Sequence, residues 1–201
     1  MHHGVSDDDI EAWEPDFPLS SDPDFLKWRA RLNDLGSSRV SIREATLTAR
    51  DARAIRDLQV VCSPISVLQV RRNIETIAMH HVLLAEIDGL HVGYCTSSVG
   101  TIDADPLYLQ VVAVAPEAQR RGVGLALLAA AASNYPERDV ALATQDDNDA
   151  ARALNERFAH SVGATIARER LSRFRDSDLG ISRGLGYRAW VIRRARSGQQ
   201  N

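Results

Sequence analysis

A chain of 201 residues with 44% apolar residues, a net charge of −3 and a pI near 6.1 has the material for one α/β domain with its own core. That balance argues against bulk nucleic-acid binding. No apolar run approaches the roughly 20 residues that span a bilayer, and the acidic N-terminus is not a secretory signal. Cys62 and Cys95, without CxxC spacing, read as reduced thiols of a cytoplasmic protein.

Residues 1–38 differ from the rest. Asp7, Asp8, Asp9, Glu11, Glu14 and Asp16 form an acidic run, Pro15, Pro18 and Pro23 follow, and Phe25, Trp28 and Leu32 recur at helical spacing behind Asp22 or Asp24 as N-cap. This reads as a solvated arm ending in one short helix that packs on the domain, with a flap over a cationic acceptor as the sharper alternative. His2 and His3 read as a floppy end rather than a metal site, and no His/Cys/Asp cluster has metal spacing.

Val40–Ala45 reads as a short strand. Thr48 or Asp51 caps a helix to about Val61 with Ala52, Ile55, Leu58 and Val61 on one face. After Pro64 a second helix carries Val67, Val70, Ile74 and Ile77. His81–Ile87 and Leu90–Ser97 are strands joined by Asp88-Gly89, a pair suited to a type I′ turn. Leu107–Val114 is the most β-prone run of the chain and stops at Pro116. A Leu/Ala helix spans Leu125–Ser133, and Val140–Thr144 is a strand. Asp147 or Asn148 caps a helix with Ala151, Leu154, Phe158 and Val162 on one stripe and Gly163 at its end. Thr165–Leu171 is a strand, 172–185 a long polar loop with Arg173, Arg175 and Arg183, and Tyr187–Arg194 the last strand. Hairpins mixed with crossover helices indicate a mixed sheet covered by helices.

The chemistry sits where strand 107–114 runs into Gln119-Arg120-Arg121-Gly122-Val123-Gly124 and a helix follows at once. Free amides and the dipole at a helix start favour an anion, and glycines admit it close to the backbone. The segment is a pyrophosphate cradle, to which Arg120 or Arg121 adds charge. It lacks the Gly-Lys-Ser/Thr of a Walker loop, and Leu127 stands where a dinucleotide fingerprint needs its third glycine.

These residues resemble the acetyl-CoA loop of the GNAT (GCN5-related N-acetyltransferase) superfamily, Gln/Arg-x-x-Gly-x-Gly/Ala. The likeness extends over about 39–194 through the Val-x-Pro strand end, the Leu/Ala helix and the order of elements. It implies a mixed, mostly antiparallel α/β sheet of six to seven strands, splayed in a V between its two central strands, with helices on both faces. The domains it implies are an arm (1–38), a transferase domain (39–195) and a polar tail (196–201). It further implies that amides of Arg121, Gly122, Val123 and Gly124, beside Gln119 and Arg120, hold the pyrophosphate. Val112, Ala113 and Val114 would pair with pantetheine, and Asn148 would touch it or serve only as a helix cap.

The implied activity is transfer of an acetyl group from acetyl-CoA, without metal, to a primary amine of a small molecule or peptide by direct attack in a ternary complex. An alkylamine with a pKa near 10.4 is neutral in roughly one molecule in two thousand at pH 7, so a base or a desolvating site is needed. Many relatives carry a glutamate near the position of Gln110 and a tyrosine where Asn155 stands. Glu86, His91 and Tyr108 lie on strands near the expected cleft. Glu86, Tyr108 and Asn155 are the catalytic candidates, and a base acting through ordered water is the alternative. The departures leave open a non-catalytic acyl-CoA sensor, and also transfer to a hydroxyl or of a longer acyl chain. Neither nucleic acid nor membrane is an expected partner, and a homodimer is compatible. The basic stretch Arg168–Arg175 reads as the solvent face of an edge strand or a contact for the 3′-phosphate of CoA.

Overall fold

The structure, a computed structural model, describes residues 21–100, 102 and 105–194. The acidic run, His2, His3, Pro15, Pro18 and the tail 196–201 lie outside the described residues. The elements run α1 (Pro23–Leu32), β1 (Ser41–Glu44), α2 (Ala49–Val61), α3 (Val70–Met79), β2 (His81–Ile87), β3 (Leu90–Val99), β4 (Leu107–Val114), α4 (Val123–Ser133), β5 (Val140–Gln145), α5 (Asp149–Ser161), β6 (Thr165–Glu169), α6 (Asp176–Leu179) and β7 (Tyr187–Arg193). The strands make a seven-stranded sheet in the order β1-β2-β3-β4-β5-β7-β6. Its β4–β5 pair is parallel, whereas β1–β2, β5–β7 and β6–β7 are antiparallel. The chain divides into two compact units, one holding the residues up to Tyr94 with Ala113–Val123, the other Cys95–Val112 and the residues from Gly124 onward.

In the first unit, Asp22 starts α1: its carboxylate accepts the amides of Asp24 (2.9 Å) and Phe25 (3.3 Å), and Pro23 supplies the first helical φ. Phe25, Trp28 and Leu32 then share the buried face. Thr48 caps α2 by accepting the Asp51 amide at 3.3 Å. α2 buries Ala52, Ile55 and Leu58, and Val70 and Ile74 of α3 pack on Ala52. Val67 does not join that stripe. It precedes the N-cap Gln69, in the non-helical stretch after Pro64, and is 51% exposed. Asp88 and Gly89 turn β2 into β3 with φ of 53° and 71°, the two positive values a type I′ turn demands.

In the second unit, the β4–β5 ladder runs from Leu107↔Val140 to Leu109↔Leu142, while β4 continues to Val114 and β5 to Gln145, the expected splay. Asn148 caps α5 by accepting the Ala151 amide at 2.9 Å, and Gly163 leaves the helix at φ 64°. Phe158 is fully buried on α5. Val162 is not on that stripe: it is the C-cap, past the last helical turn, and 38% exposed. Arg194 donates to the carbonyls of Ala132, Tyr135 and Arg138, which closes the C-terminal end of α4 with a cation where the helix dipole favours one.

The segment between β6 and β7 is not a structureless loop. β6 ends at Glu169, a 3-10 turn spans Leu171–Arg173, and α6 follows. Leu179 is 1% exposed and packs with Tyr108, Ala141, Ala189 and Val191, flanked by Leu171, Phe174 and Ile181. The apolar residues spaced among the arginines bind the segment to the sheet, because their burial outweighs the cost of ordering a short turn.

Candidate functional site

β4 ends in a sequence of tight turns. The Ala115 amide donates to the Val92 carbonyl (2.8 Å), Pro116–Ala118 form a 3-10 turn, and the Gln119 amide closes it on the Pro116 carbonyl at 3.3 Å. The Gln119 side chain donates back to the Val114 carbonyl at 3.3 Å. Arg120 and Gly122 then adopt left-handed φ of 61° and 80°, on either side of Arg121. Alternation of this kind turns successive amides toward one concave side. Holding the non-glycine Arg120 there costs about 1–2 kcal/mol, and strain of that kind is concentrated at functional sites. α4 begins at Val123, directly after this turn, and the first amides of a helix have no partner carbonyl within the helix itself.

Gln119 to Gly122 are exposed. A Cβ built on Gly122 meets nothing within 4 Å, so the surface there is open, and the glycine is required by φ rather than by crowding. The Arg121 guanidinium is already committed: it donates to the carbonyls of Gly36 (2.6 Å) and Leu35 (3.5 Å). Of the two arginines, Arg120 is the one whose side chain is exposed without such a bond among the described residues.

Along β4, Ala113 is buried and Val112 and Val114 half-buried, all beyond the point where the ladder to β5 stops. Gln110 is oriented by donating to the Ser177 carbonyl (3.1 Å) and the Ser98 hydroxyl (3.5 Å). Tyr108 is buried edge-on to Phe174, with ring centroids 6.3 Å apart, and burial raises its phenol above the ordinary value. Asn148 and Asn155 stand two turns apart on α5, the first exposed at the cap and the second buried.

Glu86 is engaged within the first unit. It accepts from Arg43 Nε at 2.8 Å, while the two terminal nitrogens of Arg43 hold Asp51 at 2.7 and 2.8 Å. Burial opposes the charge of Asp51, but Arg43 and the amide and hydroxyl of Thr46 outweigh it and bring the carboxyl down to about 2. His91 lies flat against Trp28, ring centroids 4.7 Å apart, and Trp28 Nε1 donates to its carbonyl at 3.0 Å. Burial lowers the His91 imidazole to about 4, so it is neutral at pH 7. Cys62 and Cys95 are buried, and burial pushes them up to about 11 and about 12, which makes them unreactive thiols.

Two features escaped the sequence reading. One is the attachment of α1 to the 116–122 turn, through Arg29–Glu117 at 2.5 Å and Arg121–Gly36. The other is the β6–β7 segment packed on Tyr108 and Gln110, whose signal was the spacing of Leu171, Phe174, Leu179 and Ile181.

Comparison with known proteins adds the following. The profile of the acetyltransferase (GNAT) family matches residues 52–160. No curated protein sequence matches significantly. Among solved structures, the diaminobutyrate acetyltransferase of Paenibacillus lautus, determined with L-2,4-diaminobutyric acid and coenzyme A, is 18% identical. It superposes with a TM-score of 0.61 over 77% of this chain and 95% of its own. The ribosomal-protein-S18-alanine N-acetyltransferase of Escherichia coli is 17% identical, with a TM-score of 0.56 over 81% and 99% of the two chains. YncA of Salmonella typhimurium, determined with acetyl-CoA, is 19% identical, with a TM-score of 0.53 over 77% and 92%. At these identities the likeness is one of fold.

Proposed function

The chain belongs to the acetyltransferase (GNAT) family, and from that premise we propose that it transfers an acetyl group from acetyl-CoA to a primary amine by direct attack in a ternary complex. The observation that carries this reading is the exposed turn Gln119–Gly122, with left-handed Arg120 and Gly122 opening α4 at Val123. Support for a diphosphate there comes from the left-handed Arg120 and Gly122, the start of α4 and the open space over Gly122. Amides of Arg121, Gly122, Val123 and Gly124 would hold the diphosphate, with Gln119 shaping the turn and the Arg120 side chain adding charge. Arg121 acts through its amide, since its side chain is bonded elsewhere. The backbone of Val112, Ala113 and Val114 would pair with the pantetheine arm, and Asn148 is the contact proposed from α5.

For the chemistry, the amine must lose a proton and the thiolate must gain one. Tyr108 is the protonated donor in reach of β4 chemistry, its proton held by burial. Asn155 can hold a water or donate to the thioester sulfur. Glu86 is the carboxylate candidate, although its side chain is already engaged by Arg43 at 2.8 Å. Gln110 cannot take the proton at all, so deprotonation through ordered water fits this site. The acceptor is a small-molecule or peptide amine, as the names of the diaminobutyrate and S18-alanine enzymes describe for those proteins. We place the activity in residues 39–195, without a metal and in the cytoplasm, with neither nucleic acid nor membrane as partner; a homodimer is compatible. Among the described residues, no helix is long and apolar enough to cross a membrane.

A second reading, an acyl-CoA sensor without turnover, is favoured by Gln110 in place of a carboxylate. Release of free CoA thiol from acetyl-CoA across a panel of diamines, amino acids and N-terminal peptides separates the two. Amine-dependent thiol release supports the transferase. Saturable acetyl-CoA binding with no thiol release from any amine leaves the sensor.

A further inference from the structure

We propose that α1 and residues 33–36 are a brace of the diphosphate-binding turn, so that docking of this N-terminal segment and binding of CoA reinforce each other. The proposal rests on the reading of the 119–124 turn given above. The segment lies outside the span matched by the family profile, 52–160, yet it touches the turn at both of its ends. At the start of the turn, Arg29 pairs with Glu117 at 2.5 Å, where Glu117 is 20% exposed. At its apex, the Arg121 guanidinium holds the Gly36 carbonyl at 2.6 Å. Arg120 lies between these anchors and Gly122 directly after the second, both with left-handed backbones, a conformation that persists only when its surroundings over-determine it. Arg121 is thus fixed by its side chain, and its amide is the group proposed to face the anion.

The segment is itself held firmly. Phe25, Trp28 and Leu32 are 8%, 5% and 1% exposed. Trp28 stacks on His91 and bonds its carbonyl, and β3, which carries His91, receives the Ala115 amide at Val92. Asp22, the cap of α1, is paired with the buried Arg56 at 3.2 Å. The brace is thus a packed element rather than a loose arm, and a displacement of α1 would reach Glu117 and Arg121 directly. Arg29, Trp28 and Gly36 are positioning residues: none is proposed to touch CoA.

Such coupling is reciprocal by linkage, which provides a readout that a merely structural role would not give. Coenzyme A is titrated calorimetrically into the full chain and into its Arg29→Ala and Trp28→Ala variants, and amide hydrogen exchange of residues 24–36 is followed in the wild type with and without saturating coenzyme A. The proposal expects CoA binding about tenfold weaker in the variants, and a slowing of exchange on adding CoA to the wild type that is larger in α1 than in a reference helix such as α3. Unchanged affinity in both variants, or equal slowing of α1 and α3, overturns it. If Trp28→Ala fails to fold, Arg29→Ala and the wild-type exchange still decide. A wild type that does not bind CoA overturns the reading of the turn instead, and the brace with it.

Discussion

At the scale of single residues, the left-handed pair Arg120 and Gly122 and the buried His91 show how local environment replaces intrinsic preference. Gly122 is where sequence and structure agree most directly: a glycine ahead of a helix was readable, and its φ of 80° is what a glycine permits. The commitment of Arg121 was not readable, because a long cation has no preferred direction until the fold supplies carbonyls for it. Nor was the state of His91, which depends on the aromatic face of Trp28 from a distant helix.

A pH effect follows. The folded imidazole titrates near 4 and the unfolded one near 6.5. Between those values the unfolded chain binds a proton that the folded chain refuses, so stability rises with pH across this window, is complete above 6.5, and is lost as pH falls toward 4. His80 is shifted in the same direction, while Asp57, raised by burial, opposes it. Urea unfolding between pH 5 and 6.5 is expected to show a positive slope of up to about 1.4 kcal/mol per pH unit for this one proton. That slope shrinks in His91→Phe, and an identical slope in the variant would contradict the account.

At the scale of elements, the strands and helices were legible wherever a short-range signal decides them. Asp88-Gly89 forced a turn, Leu107–Val114 was bounded by prolines, and Asn148 and Thr48 supplied caps. Val67 and Val162 were misplaced for one reason: periodicity continues on paper past the point where a cap ends the helix. The β6–β7 segment was missed because its order comes from contact with β4, not from any local propensity. Gly180 marks that contact. Its φ is 64°, and an added Cβ would lie 2.9 Å from Gln110 Cβ and 3.5 Å from Gln110 Cα. Gly180→Ala is therefore expected to destabilise the fold by about 1–3 kcal/mol and to loosen the segment over Tyr108. Thermal unfolding, together with faster exchange of amides 174–181, checks this. A melting point and an exchange pattern like those of the wild type would show that the packing is not tight.

At the scale of the molecule, the family was legible because the turn proposed to hold the diphosphate is contiguous, six residues in a row. The proton chemistry was not legible for the opposite reason. It depends on groups far apart in the chain, and the fold ties the clearest carboxylate, Glu86, to Arg43 and the central-strand amide, Gln110, to Ser177. The central claim is that main-chain donors of the 119–124 turn grip the diphosphate of CoA. Gly122→Asp tests it: open space surrounds the site, and the backbone strain of a side chain at this φ, about 1–2 kcal/mol, is what the melting points register. Calorimetric titration of coenzyme A into the wild type and this variant, with melting points measured alongside, is the most direct measurement. Saturable binding to the wild type, weakened at least about tenfold, or about 1.4 kcal/mol, in a variant that remains folded is the predicted result. Equal affinity in the two proteins would contradict the account.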